Sequence, residues 1–320
     1  MEILLSSLFL ISGLILLILS SGWLVQSSVK IAIFFKLTPL FIGLVIVAFG
    51  TSAPEAGVGI MAAIKNQKGI ALGNIIGSNI SNIGLILGLC SMVRPLKVDK
   101  KIFKSELFMM CIAFVLLFIL CLDLYISRID GLILITCFIA FCFISYIKAK
   151  KSFNLSEIGE FKFHKILETA KSKILVVVIL LLSLFGVVWG ADLMVRGGIK
   201  LAEIFKVSPW IIGITVFAIG TSLPELFASV TASLKNLSSI SMGNILGSNI
   251  FNILFVLGIV SLIRPIPLDI SVLKFELPIM CIFGFILFTV MRTGYKITRS
   301  EGLFMFLGYI FFIVFLIIKQ

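Results

Sequence analysis

The sequence predicts an all-α polytopic membrane protein: ten transmembrane helices arranged as two inverted five-helix repeats, with some of the helices broken. Three observations predict it. The 320-residue chain is 60% hydrophobic and 13% charged, with a mean hydropathy of +1.22, more apolar surface than a water-soluble domain can hide. Its apolar runs approach the roughly 20 residues needed to cross the hydrocarbon core of a bilayer. Finally, the stretch from Pro39 to Pro95 recurs from Pro209 to Pro265 at a constant offset of 170, without a gap and with 27 of 57 positions identical.

Read between charged punctuation, the runs are 3–29, 38–64, 70–93, 104–122, 130–147, 173–200, 209–234, 240–263, 272–291 and 302–318, located by hydropathy and length. The first has Glu2 where a signal peptide carries positive charge, and it exceeds a signal core in length, so it reads as a span. Five runs, a linker and five runs divide the chain into a first repeat at 1–147, a basic linker at 148–172 and a second repeat at 173–320. The signature regions are 39–95 and 209–265. Because five is odd, the two copies enter the membrane in opposite directions, the inverted-topology plan of many transporters.

Charge supports an orientation. The net charge of +12 comes from 27 Lys and Arg against 15 Asp and Glu, and the basic residues sit in short loops instead of on one amphipathic face. With the linker in the cytoplasm, about 18 of those 27 fall on its side, as the positive-inside rule expects. Both termini then face outward from a plasma membrane, the bilayer is the partner, and neither a nucleic acid nor an obligatory protein partner is expected. The six cysteines form no CxxC pair and no ligand spacing with His164, the single histidine. This argues against disulfides, zinc and haem, and no cofactor is expected.

Each copy carries GTS-x-PE in its first signature run and GN-x-x-GSN-x-x-N in its second. In the first copy these are Gly50, Thr51, Ser52, Pro54 and Glu55, then Gly73, Asn74, Gly77, Ser78, Asn79 and Asn82. In the second they are Gly220, Thr221, Ser222, Pro224 and Glu225, then Gly243, Asn244, Gly247, Ser248, Asn249 and Asn252. An ionisable residue inside a span costs roughly 2.5–3.5 kcal/mol on insertion scales, which makes both glutamates functional candidates. Pro54 and Pro224 have no N–H for the carbonyls of Gly50 and Gly220, so each helix is expected to break there. A packing kink is the plainer alternative, but broken backbone in a membrane is tolerated where it meets protein or an aqueous cavity.

Asn74, Ser78 and Asn82 recur at i, i+4 and i+8, as do Asn244, Ser248 and Asn252, so each trio lies on one helix face. A single stripe of this kind often joins two helices by hydrogen bonds, and the accompanying glycines suit close helix packing. Duplicated stripes beside duplicated glutamates point instead to a site rich in oxygen. Carboxylates, hydroxyls, amides and carbonyls suit Ca²⁺ or Na⁺, whereas softer metals call for His or Cys. One Ca²⁺ or several Na⁺ would neutralise the two glutamates before they cross a low-dielectric region. Protons would compete for the same carboxylates, so acid is expected to inhibit.

The duplicated GTS-x-PE and GN-x-x-GSN signatures resemble the alpha repeats of the calcium/cation antiporter superfamily, and most closely its prokaryotic sodium/calcium exchanger branch. The resemblance implies a secondary active antiporter that exchanges Na⁺ for Ca²⁺ and is not an enzyme. It implies Ca²⁺ between Glu55 and Glu225, with the main-chain carbonyls of Thr51 and Thr221 alongside. Flanking Na⁺ sites would use the carbonyls of Ala48 and Ala218 and the hydroxyls of Ser52, Ser222, Ser78 and Ser248, with Asn82 and Asn252 at a central fourth position. Three Na⁺ exchanged for one Ca²⁺, with the first and sixth helices sliding as a gate, is also implied. Potassium-dependent relatives carry Asp where this chain has Asn82 and Asn252, and the proton-coupled branch carries an acid soon after GN, where Asn74 and Asn244 are followed by none. A proton-coupled antiporter of the same fold and a passive channel are the rival readings. Asp192 and Arg196 are expected to form a local i, i+4 pair.

Overall fold

The computed structural model describes residues 2–64, 68–97, 103–152, 170–204, 220–292 and 294–319. Helix α1 runs Glu2–Phe35, beyond the expected end at 29. A charge near the membrane boundary does not end a helix; backbone geometry does. Lys36 adopts φ 51°, and the Leu37 N–H donates to Ala32 O at 2.9 Å, a left-handed stop that satisfies the last carbonyls. Thr38 then caps Pro39, and α2 (Pro39–Thr51) is followed by α3 (Ala53–Ile64) at a bend of 47°. The break falls at Ser52, two residues before Pro54, as the missing N–H predicts.

Helix α4 continues from Lys68–Ser81 through a π-helical stretch, Asn82–Leu87, into Gly88–Val93. After strand β1 (Leu96–Lys97) come α5, formed by a π-helical turn Phe103–Leu107 and Phe108–Leu120, and strand β2 (Tyr125–Ile126). Ser127 and Asp130 form a reciprocal capping box that starts α6 (Arg128–Lys151), slightly ahead of the apolar run. Helix α7 spans Ala170–Ile204. The described part of the seventh run is α8 (Leu223–Leu234). Helix α9 repeats the plan of α4, with Ser238–Ile250, a π-helical Phe251–Leu257 and Gly258–Ile263. Strand β3 (Ile266–Pro267), α10 (Val272–Glu276 then Leu277–Arg292), strand β4 (Lys296–Ile297) and α11 (Arg299–Lys319) complete the chain.

Seven described helices are long and apolar enough to cross a membrane, and the bent pair α2–α3 makes one more. The shorter apolar helices Ser105–Leu120 and Leu223–Leu234 occupy the fourth and seventh runs. Burial is reversed relative to a water-soluble protein. On α1, Ser6, Ser20, Ser21, Ser27 and Ser28 are buried while Ile3, Leu8, Ile11, Ile15 and Ile18 are exposed, which suits a helix solvated by lipid. Helices α4 and α9 form the centre: 83% of each span's apolar window is buried, against 22% for α1.

Two short antiparallel pairings were not legible in the hydropathy. Leu96 pairs with Ile297 and Lys97 with Lys296; Tyr125 pairs with Pro267 and Ile126 with Ile266. Each joins one sequence copy to the other. Because α5 separates β1 from β2 and α10 separates β3 from β4, the β1–β4 pair and the β2–β3 pair lie at opposite ends of those helices.

Candidate functional site

Ser52 and Ser222 sit at matching bends, with φ/ψ of −84°/9° and −89°/2°, in the sparsely populated bridge region. Each bend starts a short helix with proline and glutamate in its first turn, Pro54 and Glu55 in α3, Pro224 and Glu225 in α8. Proline is favoured there because its missing N–H would be unpaired in any case. The turn aims both glutamates inward, and each is 1% exposed.

The two copies bond reciprocally across the centre. Ser52 Oγ donates to Glu225 Oε1 at 2.6 Å, and Ser222 Oγ makes a longer contact with Glu55 Oε1 at 3.5 Å. Asn74 Nδ2 donates to the Glu55 carbonyl at 3.2 Å, and Asn244 Nδ2 to the Glu225 carbonyl at 3.3 Å. Among the described residues, Glu55 Oε2 and Glu225 Oε2 are buried without a hydrogen-bond partner. Two orphaned carboxylate oxygens buried in the interior are costly unless a partner such as a cation or a proton meets them.

Neutral oxygens surround this pair. Ser52 Oγ and Ser248 Oγ are hydrogen-bonded at 2.9 Å, and Thr51 Oγ1 donates to Asn244 Oδ1 at 3.1 Å. Asn82 Nδ2 donates to Asn249 Oδ1 at 3.0 Å; among the described residues, the buried Asn82 Oδ1 and both polar atoms of Asn252 have no hydrogen-bond partner. Asn82 begins one π-helical stretch and Asn252 falls in the other, where the wider turn changes the direction of the side chains. Ser78 is 4% exposed, and Thr221 is half-buried. The Ala48 carbonyl already accepts the Ser52 N–H at 2.9 Å, and the Thr51 hydroxyl lies 3.4 Å from it. Ala218 lies outside the described residues.

Among the described residues, no three His, Cys, Asp or Glu side chains gather in one place. The central charge is therefore that of two carboxylates, and the remaining donors are neutral oxygens. That donor set suits a hard cation. Asp192 and Arg196 pair on α7, with Arg196 Nε donating to Asp192 Oδ1 at 2.9 Å, exposed and away from the centre.

One participant escaped the sequence reading. Ser229 Oγ accepts Asn244 Nδ2 at 2.9 Å, so every polar atom of the Asn244 amide is engaged by protein. The signal was present, since Ser229 lies four residues after Glu225 and thus on the same helix face. It was obscured because the first copy has Gly59 at that position.

Comparison with known proteins follows the same pattern. The profile of the family described as sodium/calcium exchanger protein matches residues 5–147 and 175–318. The sodium/calcium exchanger MaX1 of Methanosarcina acetivorans is 32% identical over 96% of this chain and 97% of its own. The inner membrane protein YrbG of Escherichia coli is 35% identical over 83% of this chain and 82% of its own. A solved structure of the sodium-calcium exchanger NCX_Mj, soaked with 10 mM Na⁺ and zero Ca²⁺, superposes with a TM-score of 0.86 at 32% identity, covering 98% of this chain and 99% of that one.

Proposed function

The chain belongs to the sodium/calcium exchanger protein family of membrane antiporters, and from that premise we propose that it exchanges Na⁺ for Ca²⁺ by alternating access to one mid-membrane site. The observation that carries this reading is the reciprocal pair of Ser52 on Glu225 and Ser222 on Glu55, with one buried oxygen of each glutamate left over. A Ca²⁺ between those oxygens would be matched in charge, with the Thr51 and Thr221 carbonyls beside it. Na⁺ would take the neutral oxygens of Ser52, Ser78, Ser222 and Ser248, with the Ala48 and Ala218 carbonyls. Asn82 and Asn252 would serve the central position, and Asn74 and Asn244 would hold the backbone of the glutamates.

The reading includes ten spans in two inverted repeats, with the linker cytoplasmic and the termini outside a plasma membrane. The offset of 170 in the sequence and the two strand pairs linking the copies both support it. Selectivity for exchange over leak follows from charge: an empty site leaves two carboxylates bare in a low dielectric, so the loaded forms reorient far more easily. The test is ⁴⁵Ca²⁺ uptake into Na⁺-loaded proteoliposomes. Uptake is expected to need the outward Na⁺ gradient and to fall at least about 100-fold in Glu55→Gln and in Glu225→Gln, because each removes a charged ligand worth several kcal/mol when desolvated. Uptake driven by a proton gradient with Na⁺ absent would favour the proton-coupled alternative.

A further inference from the structure

A second pair of acids lies outside the site just described. Beyond Pro95 and Pro265 the copies keep matching at the same offset: Asp99 with Asp269, Lys104 with Lys274, Glu106 with Glu276 and Leu107 with Leu277. Both glutamates fall in the π-helical first turns of α5 and α10. Those turns begin at opposite ends of the molecule, Glu106 at the β1–β4 end and Glu276 at the β2–β3 end. The two are not equivalent here: Glu106 is 6% exposed, whereas Glu276 is half-buried and lines two adjoining cavities.

The inner cavity, about 220 Å³, brings Glu276 together with Asn74 and Ser78 of α4 and Tyr309 of α11. The outer one, about 440 Å³, shares Gly73, Ile76 and Glu276 with it and extends to Asp269 and Ser271. Polar groups facing the inner cavity are incompletely bonded. Ser78 is 4% exposed and makes no hydrogen bond among the described residues, while its twin Ser248 is hydrogen-bonded to Ser52. Asn74 uses its Nδ2 on the Glu55 carbonyl, but its Oδ1 has no donor among the described residues, while Asn244 Oδ1 accepts Thr51. The oxygens that a cation could bind therefore face the side that Glu276 borders, and the matching oxygens of the other copy are consumed internally.

We propose that Glu276, with Asp269 at the rim, forms an outer collecting site for hydrated divalent cations, from which the cation passes along Asn74 and Ser78 to Glu55. Glu106 holds the corresponding place at the β1–β4 end and serves it when that end opens. Two carboxylates along a mouth with apolar walls raise the local cation concentration and the capture rate without enclosing the ion. So small a set of charged ligands also suits a cation that still keeps most of its waters, which it exchanges for protein oxygens further in.

The inference rests on the exchange reading for Ca²⁺ as the divalent ion and for alternating access to Glu55, and not for the coupling to Na⁺. It is tested by ⁴⁵Ca²⁺ self-exchange, which needs no Na⁺, in right-side-out and inside-out vesicles bearing the full chain. Glu276→Gln is expected to raise the half-saturating Ca²⁺ concentration at the β2–β3 face by about three- to tenfold at low salt, and less at high salt, where charges are screened. The maximal rate and the value at the opposite face stay the same. Glu276→Asp, which keeps the charge, restores the wild-type value, and Glu106→Gln gives the mirror-image result. An unchanged value in Glu276→Gln, an equal rise at both faces, or a maximal rate lost in both the Gln and Asp variants overturns the proposal. Wild-type self-exchange without Na⁺-driven uptake overturns the sodium coupling and leaves this inference standing; wild type with no Ca²⁺ flux overturns both.

Discussion

Ser52 and Ser222 each reach over to the other copy's glutamate, so neither half of the site is complete by itself. The residues behind them break this symmetry. Asn244 is bonded to the Glu225 carbonyl, to Ser229 and to Thr51, while among the described residues Asn74 bonds the Glu55 carbonyl alone. The additional acceptor comes from one substitution between copies, Ser229 for Gly59. Removing that acceptor by Ser229→Ala is expected to loosen Asn244 and raise the half-saturating Ca²⁺ concentration about fivefold, the worth of one hydrogen bond of about 1 kcal/mol. Steady-state uptake kinetics check this, and the maximal rate should change less than the half-saturation value. At this scale the sequence offered the paired glutamates, because a charge repeated inside two apolar runs costs too much on insertion to be kept for packing. Which amide oxygens remain available could not be read from it, since that depends on neighbours far away in the chain.

At the scale of elements, two features bear on the proposed alternating access. The breaks at Ser52 and Ser222 and the π-helical stretches at Asn82–Leu87 and Phe251–Leu257 interrupt regular helix where the polar side chains gather. The proline breaks were legible; the π turns were not, because no residue type demands them. The second feature is the seam between α1 and α7, the most extensive helix contact described. Ser6, Gly13, Ser20 and Ser27 recur every seven residues on α1, and Ser183, Gly190 and Gly197 do so on α7. The backbones approach so closely that a Cβ on Gly190 would lie 2.9 Å from Leu17 N, and one on Gly13 would lie 2.5 Å from Met194 N. Small side chains leave a smooth surface along which the helices can shift. Gly190→Ile is expected to destabilise the packed state by about 1–3 kcal/mol and to abolish uptake. Gly308→Ala, whose Cβ would make an ordinary 3.6 Å contact with Phe283, should leave both intact. Thermal unfolding in detergent and proteoliposome flux separate the two.

For the whole molecule, the internal duplication is the governing fact. Each strand pair ties one copy to the other, one pair at each end of α5 and α10, so the copies are clasped at both faces while α4 and α9 cross the centre. The proposed exchange of three Na⁺ for one Ca²⁺ moves one net charge per cycle, worth about 2.3 kcal/mol per 100 mV. Proteoliposomes clamped with K⁺ and valinomycin should therefore take up Ca²⁺ faster when the interior is made positive, as Na⁺ leaves; a rate independent of voltage would argue for an electroneutral stoichiometry. Composition and hydropathy by themselves determined that this chain lives in a bilayer, because no aqueous fold can bury so much apolar surface. The constant offset determined that its halves are copies and that their glutamates correspond. Only the tertiary structure decided that these glutamates share serines across the centre, and that Ser229 commits Asn244 while Asn74 stays available. It alone brought Glu276 beside Ser78. A repeat in sequence specifies equivalence, whereas proximity and hydrogen-bond satisfaction arise from packing between segments more than a hundred residues apart.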